Sequence, residues 1–465
     1  MLYRFTASYF SKSTFLYIIL IFLASKSTAQ TQVFTPVPQD SLQLESLKPI
    51  FEKVYQQEIA NLPTGNRNDL TKLYKDRWDN VKEKFDKKEI YISQAAQQYL
   101  DKLLEEIIKA NPILLQTSIH CYFSRSGIPN ASYIGVGIIL FNMGLFDKLE
   151  NESQAVFVLC HELSHLLLKH GENSIQKYVT TLNSDLVQKQ LHKIKDREFG
   201  KREELDNLLK GLTFDTRKHG RDHESEADSM AIELMRHTKY NLSASLTALG
   251  QLDSIDNDPF KTSISLPNLF NSAAYPFRKK WLAREEGLLG GHATLKKDQA
   301  LNDSLKTHPD CQARIKLLEP LVNLYHSTRD QNSGTNPQFN VLQNLFKYEV
   351  IEYAFQRGNY AKSLQYSLGV MINNISDPYL ITQVGKIFNE FYLADKAHTL
   401  GRVTELPSPY MDPNYNLLLQ FIQNLYREDF ASIGYYFLEP FQKQLAFYKP
   451  YNTALSLASK YIKQL

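Results

Sequence analysis

Apolar positions along the chain fall into blocks of different period. Residues 15–24 read FLYIILIFLA, a run of ten without a charge. From about 41 to 112, apolar residues recur at helical spacing, as in Leu73, Trp78 and Val81 and in Leu104, Ile107 and Ile108, which predicts several helices. Short apolar runs around 116–123 and 133–141 then predict a small β region. Beyond it, Ala155, Val156, Val158, Leu159, Leu163, Leu166 and Leu167 form a broad apolar surface, the mark of a helix buried on most sides. Asn151 and Gln154 have capping-box spacing for its start, and Gly171 stands where it should stop. Residues 172–222 are charged and helix-prone and read as an excursion. Helical spacing returns at Ala227, Ala231, Leu234 and Met235. The stretch 240–306 is broken by Pro, Gly and Asn and carries a basic-aromatic patch from Phe277 to Trp281; it reads as a lid over a cleft or a long loop. A polar linker at 327–338 precedes a helical C-terminal part.

The buried helix carries chemistry. Cys160 to Gly171 read CHELSHLLLKHG, so His161, Glu162 and His165 form an HExxH motif. Imidazoles four residues apart lie on one helical face, each with a nitrogen free for a metal. Glu162 borders that face, where it can take a proton from water. The plain alternative is a core helix whose histidines find hydrogen-bond partners. A catalytic zinc needs a third protein ligand. Glu224 and Asp228 stand one turn apart on the face of Ala227 and Ala231, an inward direction for two carboxylates. Glu224 as ligand and Asp228 holding a ligand histidine's second nitrogen would account for both. His223 competes as a ligand but points elsewhere, while Glu226 and Glu233 lie off that face and are expected at the surface. Cys160 reads as a small buried hydrophobe, turned away from His165, rather than a nucleophile.

HELSH followed by ESEAD resembles the gluzincin metalloproteases of the CAAX prenyl protease and HtpX-like group. The family pattern is HExxH, then ExxAD roughly sixty residues on; here Glu224 follows His165 by 59. Two more segments are similar. Pro129-Asn130-Ala131 with Gly135 to Phe141 and Gly144-Leu145 resembles the strand before the metal helix, and Thr307-His308-Pro309 with Arg314-Ile315 resembles the late His-Pro segment. The resemblance covers about 115–320. It implies a Zn2+ ion on His161, His165 and Glu224, Glu162 as general base, Asp228 beside a ligand, and His308 and Arg314 near the active site. It also implies a mainly α fold with a small β-sheet, an α+β zincin-like protease domain over 41–326.

In the C-terminal part, Arg357-Gly358-Asn359-Tyr360-Ala361 recurs loosely as Arg427-Glu428-Asp429-Phe430-Ala431, with a weaker copy near Leu393 to Leu400. A period near 35 is similar to tetratricopeptide repeats, so residues 339–465 are expected as an all-α repeat domain with a concave face for a protein partner. A plain helical bundle is the alternative. Zincin plus repeats resembles the periplasmic β-barrel assembly-enhancing proteases.

Residues 1–29 read as a signal peptide: Arg4 and Lys12 open it, the apolar run follows, and Ser27-Thr28-Ala29 is the cleavage site. An uncleaved anchor is the alternative, although ten residues are too few to span a bilayer. A polar leader follows at 30–40. The longest later apolar stretch, Ser132 to Phe146, is interrupted by three glycines and an asparagine, so no span is expected in the mature chain. Export to the periplasm follows, with secretion as the alternative. Losing 1–29 takes Lys and Arg from 53 to 50 against 50 Asp and Glu, a neutral chain that gives nucleic acid no basic stripe. Cys121, Cys160 and Cys311 are an odd set without framework spacing.

The expected function is a zinc endopeptidase acting on polypeptides, in envelope protein quality control. Gly137, Ile138, Ile139 and Leu140 are expected to pair with an extended substrate as an open strand edge. Arg314 or His308 stabilises the oxyanion, or His308 occupies zinc's open position; a plain ion pair to a carboxylate is the alternative for Arg314. Two other classes stand beside this reading: a periplasmic chaperone-like binding module, and a metal hydrolase acting on something other than peptides.

Overall fold

The computed structural model describes residues 33–36, 41–196, 220–257, 265–283, 310–325 and 336–465. The expected signal peptide, most of the leader and of the linker, and His308 with its neighbours lie outside the described residues. Everything below concerns the unit from Pro36 to Leu465.

Three helices come first: α1 Ser41–Ala60, α2 Arg67–Asp86 and α3 Gln94–Ala110. α3 buries Leu100, Leu103, Leu104 and Ile107, and it starts where the Ser93 side chain accepts a hydrogen bond from Ala96 N at 3.3 Å. The strands are β1 Ile90–Tyr91, β2 His120–Ser124, β3 Ala131–Gly135 and β4 Ile138–Asn142. They form one sheet in the order β1-β2-β4-β3, with β4 parallel to β2 and antiparallel to β3. Successive side chains enter different cores: Phe123, Ile139 and Phe141 join the larger cluster, while Tyr122, Ile138 and Leu140 meet α1 and α2. A strand covered on both faces carries a continuous apolar run, and Ile138-Ile139-Leu140-Phe141 is one. The β3–β4 turn holds Gly135, Val136 and Gly137 at positive φ, and a Cβ on Gly137 would collide with the Ser118 carbonyl oxygen.

The substrate-strand expectation is corrected here. Residues 138–140 are hydrogen-bonded on both sides, and Gly137 sits in the turn, so this segment offers no free edge. The strand at the end of the sheet beside it is β3.

α4, Glu152–Leu167, packs across β3 on the larger core. The Asn151 side chain accepts from Gln154 N at 3.0 Å, and Gln154 Oε1 accepts from Glu150 N at 2.7 Å, one residue before the reciprocal position of a capping box. Gly171 does not stop the helix. α4 ends at Leu167, Lys169 takes the left-handed conformation at φ 54°, and α5, His170–Leu182, begins with Gly171 in its first turn. α6 is Asp185–Asp196; α7 spans 220–236; α8 is Ala244–Asn257 and α9 Cys311–Tyr325.

The C-terminal helices are α10 Pro337–Gln356, α11 Tyr360–Met371, α12 Pro378–Lys396, α13 Pro413–Gln423, α14 Arg427–Leu438 and α15 Lys449–Ile462. α10, α12, α13 and α15 start 41, 35 and 36 residues apart. Three of those starts share one device: Asn336, Asp377 and Asp412 cap the helix with a side-chain acceptor, and proline follows at the first helical position. α10 also joins the larger core through Phe339, Leu342, Phe346 and Val350, so the first helix of the expected repeat domain is shared with the preceding part of the chain. The Phe277–Trp281 patch lies against α13 and α14.

Candidate metal centre

Two helices supply the centre. α4 presents His161 and His165 one turn apart, and α7 presents Glu224 and Asp228 one turn apart. His161 Nε2 and His165 Nε2 lie 3.0 Å apart, and Glu224 places Oε2 and Oε1 at 3.5 Å from each of them. Donors about 2.05 Å from a tetrahedral zinc stand about 3.3 Å from one another, so the three groups hold the spacing such an ion requires. They form the one His/Cys/Asp/Glu group of that kind found among the described residues.

Each histidine of the group has a polar neighbour behind it. His161 Nδ1 lies 2.9 Å from Asp228 Oδ1, and Asp228 in turn receives Arg314 Nε at 2.6 Å and Nη2 at 2.7 Å. Arg314 Nη1 reaches Glu224 Oε2 at 3.0 Å. The buried guanidinium is therefore paired with two carboxylates, the alternative stated for Arg314, while it also borders the cleft. On the other side, His165 Nδ1 lies 2.9 Å from His170 Nδ1, and His170 Nε2 lies 3.1 Å from Glu226 Oε2. If His165 Nε2 faces the metal, its proton sits on Nδ1 and is donated to His170, whose own proton then sits on Nε2 and is donated to Glu226; the tautomers are assigned by this logic. His223 stacks on His170 with centroids 4.2 Å apart and stands outside the ligand group.

His170 was not legible as part of the site. In one continuous helix a residue five positions past His165 turns well away from it. Only the break at Leu168 and Lys169 brings it back, and a lysine at positive φ carries no sequence signal. Glu226 is exposed, as expected, yet its carboxylate ends this chain.

The charges around the centre act in opposite directions on its two histidines. Burial pulls His161 down, but Asp228 and Glu224 overcome it and raise the imidazole to about 10. Burial and the neighbouring His161 lower His165 to about 3. Burial opposes the charge on Glu224, and His161 and Arg314 nevertheless hold that carboxyl far below its ordinary range. Burial raises Glu162, whose Oε2 accepts from Tyr133 N at 2.8 Å. That contact joins Glu162 to β3. Burial also pushes the Cys160 thiol up, leaving it unreactive beside the motif. Over the centre lies a cleft of about 350 Å³ bounded by Ser132 and Tyr133, Phe157, His223 and Arg314.

Residues 94–322 match the family model described as peptidase family M48, just under half of the chain and the part that carries every residue of the centre. The match supports a zincin-type metalloprotease of this zinc-dependent family. No curated protein matches the chain.

Proposed function

We propose that the protein is an exported zinc endopeptidase that cleaves extended polypeptides, with a role in envelope protein quality control. The observation that carries the reading is Glu162 seated between the ligand triad and the outer strand, its carboxylate bound to the Tyr133 amide. The two imidazoles and the Glu224 carboxylate would hold the ion. Zinc bound there supplies a Lewis acid that lowers the pKa of water and polarises a carbonyl. Glu162 takes the proton from the attacking water and returns it to the leaving amine. Asp228 and Arg314 keep His161 and Glu224 in place.

Substrate is read as a strand added to β3. A second hollow of about 380 Å³ opens past Tyr133, lined by Val81, Ile134 and Ile175 together with Arg77, Asn80 and Lys84. A peptide laid antiparallel to β3 would send the residues before the cut toward it. No described helix is long and apolar enough to cross a membrane, and the reading of export rests on residues 1–29.

Zinc content and casein cleavage, with and without chelator, test the reading. One zinc per chain and chelator-sensitive cleavage are expected, with Glu162→Gln keeping the metal and losing roughly two to four orders of magnitude in rate. A Glu162→Gln variant as active as the parent would sink it. The chaperone-like alternative draws support from the peptide segment seated on the C-terminal helices. Under that reading, Glu162→Gln rescues a deletion strain as well as the parent does.

A further inference from the structure

Residues 265–283 behave like a ligand of the C-terminal helices. Between Phe270 and Ala283 only Phe270 and Trp281 are buried; the rest are half-buried or exposed, so the segment builds no core of its own. Phe270 enters a cluster of Phe388, Phe421 and Phe437, at centroid distances of 5.1, 5.7 and 5.7 Å. Phe277 stacks on Phe421, and Tyr275 stacks on Tyr436 while its hydroxyl donates to buried Asp429 at 2.5 Å. The backbone is caught by amide side chains. Asn424 Nδ2 donates to the carbonyls of Trp281 at 3.1 Å and Ala283 at 2.7 Å, and Gln420 Nε2 donates to that of Leu282 at 2.9 Å. Arg278 reaches Asp429 at 3.4 Å, and Lys280 Nζ lies 5.4 Å from the Tyr426 ring.

Part of the helices' packing is with one another, and part, through Phe388, Phe421 and Phe437, is with the segment. Ile387, Phe391, Phe430 and Leu438 are fully buried or nearly so, and Gly385 and Gly434 let α12 and α14 approach closely, with Leu438 and Phe388 filling the space a Cβ would take. The amide clamps hold main-chain carbonyls of the 3-10 turn Lys279–Leu282 and of Ala283 after it, independent of side-chain identity, and the aromatic sockets choose which sequence fits.

We propose that α12, α13 and α14 form a peptide-recognition groove whose resident ligand is the chain's own 270–283, and that a polypeptide segment with similarly spaced aromatic and basic residues exchanges with it. The proposal stands on these contacts and does not depend on the peptidase reading.

The test uses the full chain and a fluorescein-labelled synthetic peptide of residues 270–283. In the parent, the resident segment competes at an effective concentration on the order of millimolar, so the peptide binds weakly. Full-length Tyr275→Ala/Trp281→Ala weakens the resident, and the peptide is expected to bind at least roughly tenfold tighter, with a scrambled peptide showing no gain. Adding Asn424→Ala should reverse that gain. A double variant that melts cooperatively yet binds no more tightly than the parent, or that binds the scrambled peptide equally, overturns the proposal. Should the double variant not fold, native-state hydrogen exchange on the parent decides. Faster exchange of the hydrogen-bonded Trp281 and Ala283 amides than of α12 and α14 supports a detachable ligand, and equal protection overturns it.

Discussion

At the scale of single residues, the centre depends on groups that never touch substrate. His170 orients His165 through one hydrogen bond, and such partners of metal-bound histidines typically change affinity by about 10–100-fold when removed. His170→Ala is expected to weaken zinc binding by that factor in competition titration and to shift the visible bands of the cobalt-substituted protein. His170→Gln, whose amide oxygen can still accept from Nδ1, should recover part of it. Unchanged metal affinity with only a lower melting temperature would mean that His170 merely packs. Arg314 poses the opposite case. Its removal as Arg314→Met leaves Asp228 a buried, unpaired negative charge beside half-buried Glu224, and a loss of about 3–5 kcal/mol in urea denaturation is expected. A variant of parental stability that had lost only turnover would favour the oxyanion role.

At the scale of elements, local rules were readable and partner choice was not. The Asn151 cap, the apolar face of α4 and the inward turn of Glu224 and Asp228 all follow from helical periodicity within one segment. So do the caps Asp377 and Asp412 with their prolines, although the sequence reading tracked the eroded Arg-Gly-Asn-Tyr-Ala motif instead. Asp377→Ala and Asp412→Ala should each cost about 0.5–2 kcal/mol in thermal or chemical denaturation, and no change would show those caps to be idle. Strand edges behave differently. Gly137 to Leu140 reads as a substrate strand because glycine lets backbones approach and an open edge offers unused hydrogen bonds, yet the continuous apolar run Ile138 to Phe141 is what burial on both faces produces. Gly137 serves the turn. Gly137→Ala is expected to lose at least about 1 kcal/mol, from the positive φ and the collision with Ser118.

At the scale of the whole molecule, the protease part and the C-terminal helices share a core. Phe346 meets Tyr91, Phe123 and Phe146, and Arg125, buried, pairs with buried Glu349 at 3.4 Å. A fragment ending at residue 326 would expose that aromatic cluster and strand Arg125. It is expected to show no cooperative thermal transition by circular dichroism, and one that melts cooperatively would prove the protease part independent. Phe346→Ala in the full chain should cost about 3–5 kcal/mol.

From the chain alone, α4 with His161, Glu162 and His165 on it and the inward carboxylate face of α7 could be placed. Each depends on spacings of three or four residues, and helical geometry converts such spacings into shared faces without reference to the rest of the molecule. Tertiary structure alone decided that β3 and not β4 ends the sheet, that a break at Lys169 returns His170 to His165, that Arg314 pairs with carboxylates, and that Phe270 to Ala283 lies on the C-terminal helices. Those outcomes join residues far apart in sequence or turn on one unusual backbone angle. Packing selects them, and no local period records them.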